Sequence, residues 1–226
     1  MPSDTFNNLP EHKKNTIIQT AVREFADHPY DVASISNIVR KTGIAKGSFY
    51  QYFADKRDLY SLLIEIAFLE KQNVMNAYPI SNPTGDFFTY LRWQFLINVI
   101  FELQNPLLAQ VSYRAFIEEV PFPEISEKLR SRGTTQFFKQ LITQAILHGD
   151  VGVWVDPDVA AFYLETVFYQ YGQYFIKRME LSAEQSMDEK IFDNPESQQL
   201  LDNLMDIIEA GIKKSPEQRK EYTSKD

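Results

Sequence analysis

The chain is predicted to be all-α, with about nine helices. Through most of its 226 residues apolar side chains recur at the three- and four-residue spacing of a helix. Glycine is scarce, 8 in all, whereas a sandwich or barrel needs many tight turns. Prolines and glycines gather at a few points that cut the chain into helix-length pieces.

The first piece carries Ile17, Ile18, Ala21, Val22 and Phe25 and is broken by Asp27 to Asp31. Ser34 is placed as the N-cap of a short helix holding Ile35, Ile38 and Val39, and Gly43 supplies the left-handed residue that ends it. A second short helix runs from Ala45 to about Tyr52. Asp55 caps a longer one, with Leu59, Leu62, Leu63, Ile66 and Leu69 on one side, reaching to about residue 77. Tyr78 to Gly85 interrupts the pattern at Pro79, Asn82 and Pro83. Helices are then expected from Thr84 to Gln104, Pro106 to about Glu119, and Pro123 to His148. Asp156-Pro157 pairs an N-cap with a proline at the first helical position and starts a helix to about Glu180. Leu181 to Pro195 reads as a loop, and Gln198 to Lys214 as the last helix.

Residues 34–52 have the arithmetic of a helix-turn-helix: two short helices, a glycine between them, and apolar positions that hold them together. In such a motif the second helix lies in the major groove. Its exposed residues are expected to be Lys46, Gly47, Ser48, Tyr50, Gln51 and Tyr52. Those residue types suit DNA. Lys46 and Lys56 can sit on phosphates, and the tyrosine hydroxyls can donate to phosphate oxygens. Gln51 and Ser48 can meet base edges, and Gly47 lets the helix come close to the duplex. By spacing alone, a helix–glycine–helix step means plain packing almost as readily as DNA binding.

The stretch SISNIVRKTGIAKGSFYQYFADKRDL, which ends at Leu59, resembles the DNA-binding signature of the TetR family of bacterial repressors. The shared elements are Gly43, the Ala45-Lys46-Gly47 step, the Phe49-Tyr50-x-Tyr52-Phe53 run, and Lys56 followed by Leu59. The resemblance covers about residues 10–75. It implies a three-helix DNA-binding head over residues 1–54, and an effector-binding and dimerisation body over residues 55–226. The helix from about 55 to 77 would join them. It places Lys46, Tyr50, Tyr52 and Lys56 at phosphate-contacting positions, and Thr42, Ser48 and Gln51 at positions that can touch bases. It implies a homodimeric repressor on double-stranded operator DNA, released by a small-molecule effector; the alternatives are an activator or effector-independent regulator of the same fold, or a helical protein-interaction module. Ala45 departs from the family, where serine often caps the recognition helix; its loss removes that cap and one possible bond to a phosphate.

Residues 72–226 hold 22 of the 31 aromatic residues. As a set they suggest a pocket for an apolar or aromatic ligand, although each alone reads as core. The candidate lining is Trp93, Ile97, Phe101, Tyr113, Phe116, Phe138, Phe168 and Tyr171, with Arg92, Gln94, Asn98, Tyr113, Arg114, Gln144 and His148 as polar groups that could orient the ligand. The last two helices carry broad apolar faces, and Leu164, Val167, Tyr174, Leu201, Leu204, Met205 and Ile208 are the candidate dimer residues.

Other chemistries find little footing. There is no cysteine, which removes disulfides and thiolate sites and suits a cytoplasmic protein. The three histidines stand in no ligand spacing, and no nucleophile elbow or phosphate loop is present. Neither a metal, a cofactor nor an enzymatic activity is expected. The longest apolar stretch, Phe87 to Leu103, is broken by Arg92, Gln94, Asn98 and Glu102, so no membrane partner is expected either. The net charge of -8 argues against nucleic acid only until it is divided. Residues 1–71 hold 9 basic and 9 acidic side chains, so the whole deficit lies beyond them. Residues 34–57 carry Arg40, Lys41, Lys46, Lys56 and Arg57 against Asp55 alone, a net of +4.

Overall fold

The computed structural model describes residues 2–81, 86–117, 134–181 and 194–213, apart from the side chains of 117, 134 and 135. Among the described residues there are ten helices and no strand. They are α1 (Asp4–Asn7), α2 (Glu11–Asp27), α3 (Ile35–Thr42), α4 (Lys46–Tyr52), α5 (Lys56–Ala77), α6 (Phe87–Gln104), α7 (Pro106–Ile117), α8 (Thr134–His148), α9 (Pro157–Arg178) and α10 (Pro195–Ile212). The extra element is α1, a single turn capped by Ser3, whose Oγ accepts from the Phe6 amide. The start of the helix expected from Pro123, the end of the one expected at Glu119, and most of the loop after Leu181 lie outside the described residues.

Local chemistry sets most of the boundaries. Ser34 Oγ accepts from the Asn37 amide at the start of α3, and Gly43 ends that helix at φ 70°. A side chain is strained at that backbone angle, which is why glycine stands there. Asp55 accepts from the Asp58 amide at 2.8 Å, and Asp58 reaches back to the Ala54 amide at 3.2 Å, closing both sides of the α5 entry. Asp156 Oδ1 accepts from the Asp158 and Val159 amides at the start of α9. The last helix starts earlier than its apolar stripe, at Pro195, because Asn194 repeats the same device on the Glu196 amide. By contrast α6 starts at Phe87, later than the expected Thr84, because Asp86 accepts from the Thr89 amide and caps it there.

The chain forms two compact units. The first comprises Met1–Asn73 and Asn105–Ser126, the second Val74–Gln104 and Glu127–Asp226. In the first, α2 packs on α3 and α7, and α1 and α3 pack on α4. Its core is aromatic: Phe25, Phe49, Phe53 and Tyr60 are almost fully buried, with the Phe25 and Tyr60 rings 4.9 Å apart. Arg114 Nε on α7 donates to the Ala26 carbonyl in the last turn of α2 at 3.1 Å. In the second unit α9 packs on α8 and α6, and α10 packs on α6. Phe95, Phe138, Ile142, Ala161, Leu164, Phe168 and Phe175 form the centre of its core. No helix among the described residues is long and apolar enough to cross a membrane.

Candidate functional site

The helix-turn-helix is held by a buried carboxylate that periodicity does not reveal. Glu24 on α2 is 1% exposed. It accepts from the Ser34 amide and from Asn37 Nδ2, both at 3.1 Å, and from Lys41 Nζ at 3.4 Å. Burial by itself would raise its pKa. The bonds from Asn37, Ser34 and Lys41, with the Lys41 charge, outweigh burial and hold the carboxyl below its ordinary value. One side chain therefore fixes both the N-terminus of α3 and its last turn to α2.

The second short helix, α4, presents Lys46, Gly47, Tyr50 and Gln51 as exposed residues, with Ser48 half-buried. Its N-cap, Ala45, makes no side-chain bond to the first turn. Its C-terminus is closed by the cap of α1: the Ser3 amide donates to the Tyr52 carbonyl at 2.9 Å, and Ser3 Oγ donates to the Gln51 carbonyl at 2.6 Å. Those carbonyls would otherwise be orphaned at the helix end. Thr42, at the end of α3, is half-buried and turns its hydroxyl onto the Ile38 and Val39 carbonyls at 2.8 and 3.2 Å.

Two expectations about this face need correction. Tyr52 is buried, 6% exposed, because α1 covers it and brings Phe6 to a ring distance of 6.0 Å. Lys56 does not project freely. Its Nζ donates to the carbonyls of Tyr30, Ala33 and Asp31 at 2.7, 3.0 and 3.3 Å, and lies 4.5 Å from the centre of the Tyr30 ring. An ammonium has three donors, and these carbonyls use all three. Tyr30 is pushed up to about 12, chiefly by burial, then by Asp55 and Asp31, with Arg57 opposing. The α2–α3 connection and the start of α5 are thus clamped together.

In the second unit, Phe138, Phe168 and Tyr171 do come together. Phe95 stacks edge-on against Phe168 at 5.3 Å and Tyr171 at 5.7 Å, and Phe138 meets Phe168 at 5.4 Å. Trp93 is half-buried and donates its indole N–H to the Tyr78 carbonyl at 2.8 Å. Ile97 and Phe101 are buried on α6. Tyr113 and Phe116 are half-buried on α7, in the first unit. Of the residues named for orientation, Gln94 and Asn98 are buried. With Glu102 they form a row, Gln94, Asn98 and Glu102, four residues apart on one face of α6; the sequence shows them as interruptions of the apolar stretch but not as bonded to one another. Glu102 accepts from Asn98 Nδ2 at 2.7 Å and from Gln173 Nε2 at 2.9 Å. Gly172 makes room for it, since a Cβ there would stand 2.2 Å from Glu102 Oε1. The polar four-residue spacing inside an otherwise apolar helix is the signal that could have found this network.

Of the candidate dimer residues, Leu164, Leu201, Met205 and Ile208 are buried in the second unit's own core. Val167 and Leu204 are partly buried against it, and Tyr174 is exposed. The apolar side chains that α9 and α10 leave open are Val159, Phe162, Tyr163, Tyr174 and Ile207. Among the described residues no cluster of histidines and carboxylates could hold a metal.

Comparison with known proteins agrees with this architecture. The profile described as bacterial regulatory proteins, tetR family, matches residues 17–63, which include the helix-turn-helix. The profile for a tetracyclin repressor-like C-terminal domain matches residues 85–213. A TetR-family transcriptional regulator from Chloroflexus aurantiacus, known from a crystal structure, is 38% identical, with 95% of this chain and 100% of that one covered and a TM-score of 0.82. The HTH-type regulator YvdT of Bacillus subtilis is 42% identical over 53 residues, 24% of this chain and 27% of that protein. IcaR of Staphylococcus epidermidis, a negative transcriptional regulator of the biofilm operon icaADBC, is 24% identical over 144 residues, 64% of this chain and 70% of its own. With both profiles matched in order and a relative aligned over nearly its whole length, the chain belongs to the TetR family of helix-turn-helix transcriptional regulators.

Proposed function

We propose that the protein is a homodimeric repressor that leaves its operator when an apolar or aromatic small molecule enters the second unit. The observation that carries the DNA half of this reading is α4, a short helix whose exposed side is Lys46, Gly47, Tyr50 and Gln51. Lys46 and Tyr50 hold phosphates and set the register. Gln51 and Ser48 read base edges, Gly47 permits close approach, and Thr42 stands at the edge of the interface. Tyr52 and Lys56 act from behind this face: Tyr52 by packing under it, and Lys56 by fixing the connection that carries α3. The similarity to a negative regulator supports repression over activation.

The second copy docks on the outer side of α9 and α10, where Phe162, Tyr174 and Ile207 are 68%, 53% and 65% exposed. A two-fold dimer of this kind places its heads in major grooves about 34–36 Å apart, or a multiple of that. The effector acts by binding a dimer state with another head spacing more tightly than the DNA-bound state; equal affinity for both would shift nothing. Selection of bound sequences from a random DNA pool tests the reading. Pseudo-palindromes with half-sites one helical turn apart are expected. Recovery of unrelated sequences, with no enrichment, would overturn it.

A further inference from the structure

Among the described residues of the second unit three buried side-chain polar atoms have no hydrogen-bond partner; one is Ser197 Oγ at the start of α10, and the other two are the Tyr171 hydroxyl on α9 and Nη1 of Arg92 on α6. A donor removed from water and left unmade is costly, so such atoms call for an explanation. The Tyr171 and Arg92 atoms belong to one place. The Tyr171 ring lies 5.7 Å from that of Phe95, and Phe95 is three residues along α6 from Arg92, on the same face. Burial raises the Tyr171 pKa well above the phenol range; Arg92 lowers it, and Tyr174 and Asp202 raise it. The hydroxyl is therefore a neutral donor, within electrostatic reach of both Arg92 and Asp202. The other arm of the guanidinium, Nη2, stands 2.9 Å from Asp202 Oδ1 on α10, which offsets its charge.

We propose that Arg92 Nη1 and the Tyr171 hydroxyl form a subsite for an uncharged oxygen acceptor, such as a ketone or ester carbonyl, on an otherwise apolar ligand. The proposal rests on the effector reading above and narrows its ligand class. Both atoms can donate to a single oxygen, whose two lone pairs can accept both. A carboxylate suits the place less well. Asp202 already neutralises the guanidinium, so a second anion would meet it without a free cation. A pure hydrocarbon would leave both donors unmade. The neighbouring rings of Phe95 and Phe168 supply the apolar wall. A site with committed donors rejects a ligand that lacks the acceptor more strongly than an apolar wall rejects a missing methylene.

The test uses the full chain and three probes of one shape: benzophenone, diphenylmethane and diphenylacetate. Binding is followed by calorimetry, and release of the selected operator by fluorescence anisotropy. Benzophenone is expected to bind about tenfold more tightly than diphenylmethane. Tyr171→Phe, and Arg92→Lys, which can keep the pairing with Asp202, should each bring that ratio close to one. Tyr171→Phe should melt no lower than the parent, because the deleted hydroxyl had no partner. Equal binding of ketone and hydrocarbon, or a preference that survives Tyr171→Phe, overturns the subsite; if the hydrocarbon still releases DNA, the effector reading stands. Tighter binding of diphenylacetate overturns the uncharged class. If none of the three binds or releases DNA, the subsite and the effector reading fall together.

Discussion

Lys56 shows how one side chain can be assigned two incompatible jobs. As a phosphate ligand it would release a counterion on binding. As a clamp with every donor on a backbone carbonyl it releases none. Lys56→Met should therefore lower stability by about 2–4 kcal/mol, through removal of a set of charge-assisted bonds. It should weaken DNA binding without changing the slope of log affinity against log salt. Lys46→Ala should do the reverse, keeping stability while flattening the slope by about 0.9 for each phosphate left unneutralised. Titrations at several salt concentrations separate the two. Glu24 makes a pH prediction with a fixed sign. Its folded pKa lies below the ordinary value of 4.5, so its contribution is present above that value and disappears as pH falls through the folded pKa. Glu24→Ala should melt earlier than the parent at pH 7, and the gap should close below pH 4.5. Tyr30 has the opposite sense. Its contribution is present below the ordinary value of 10 and fades as pH rises towards about 12. An alkaline melting series should show this fading in the parent and not in Tyr30→Phe.

At the scale of helices, the devices that local chemistry dictates were legible in the sequence. Ser34, Gly43, Asp55 and Asp156-Pro157 each act within a few residues of themselves, and each stands where its helix begins or ends. What escaped was set at a distance. Lys56 finds its acceptors 23 to 26 residues upstream, and the cap of α1 closes α4 across 48 residues. No periodicity carries either pairing, and a single turn such as α1 has none to show. Replacing Ser3 by Ala should cost about 1 kcal/mol and loosen α4, read as faster amide exchange at Tyr52 and Phe53. Ala45→Ser adds the missing cap and should stabilise the protein by about 0.5–1 kcal/mol. Gly172 offers a sharper test. Alanine is normally better than glycine inside a helix by about 1 kcal/mol. Here Gly172→Ala should destabilise, because Glu102 would have to leave its amide partners. In a Glu102→Ala background the same change should become stabilising, and a double-mutant cycle in denaturant measures the difference.

For the whole molecule, the aromatic excess of the second unit was legible as composition but not as a partition between core, pocket and interface. A stripe of leucines on a terminal helix looks the same whether it faces its own chain or a second copy. Burial decides for Leu201, Met205 and Ile208, which fill the core of the second unit. The exposed side of α9 and α10 then gives the dimer prediction its residues. Phe162→Glu combined with Tyr174→Lys should yield a monomer by sedimentation at micromolar concentration, still helical, with operator affinity reduced by a large factor. A variant that remains dimeric would move the interface elsewhere.

The first unit is not a continuous piece of chain, because α7, which packs on α2 and holds the Ala26 carbonyl through Arg114, enters only after α6 has been made. During synthesis the segment ending at Asn73 therefore emerges some thirty residues before its own cover. Until then the face of α2 that α7 will occupy stays bare. A head excised at residue 73 for DNA-binding work would keep that bare face permanently. It should aggregate or melt early, whereas the intact chain carries its own cover further downstream.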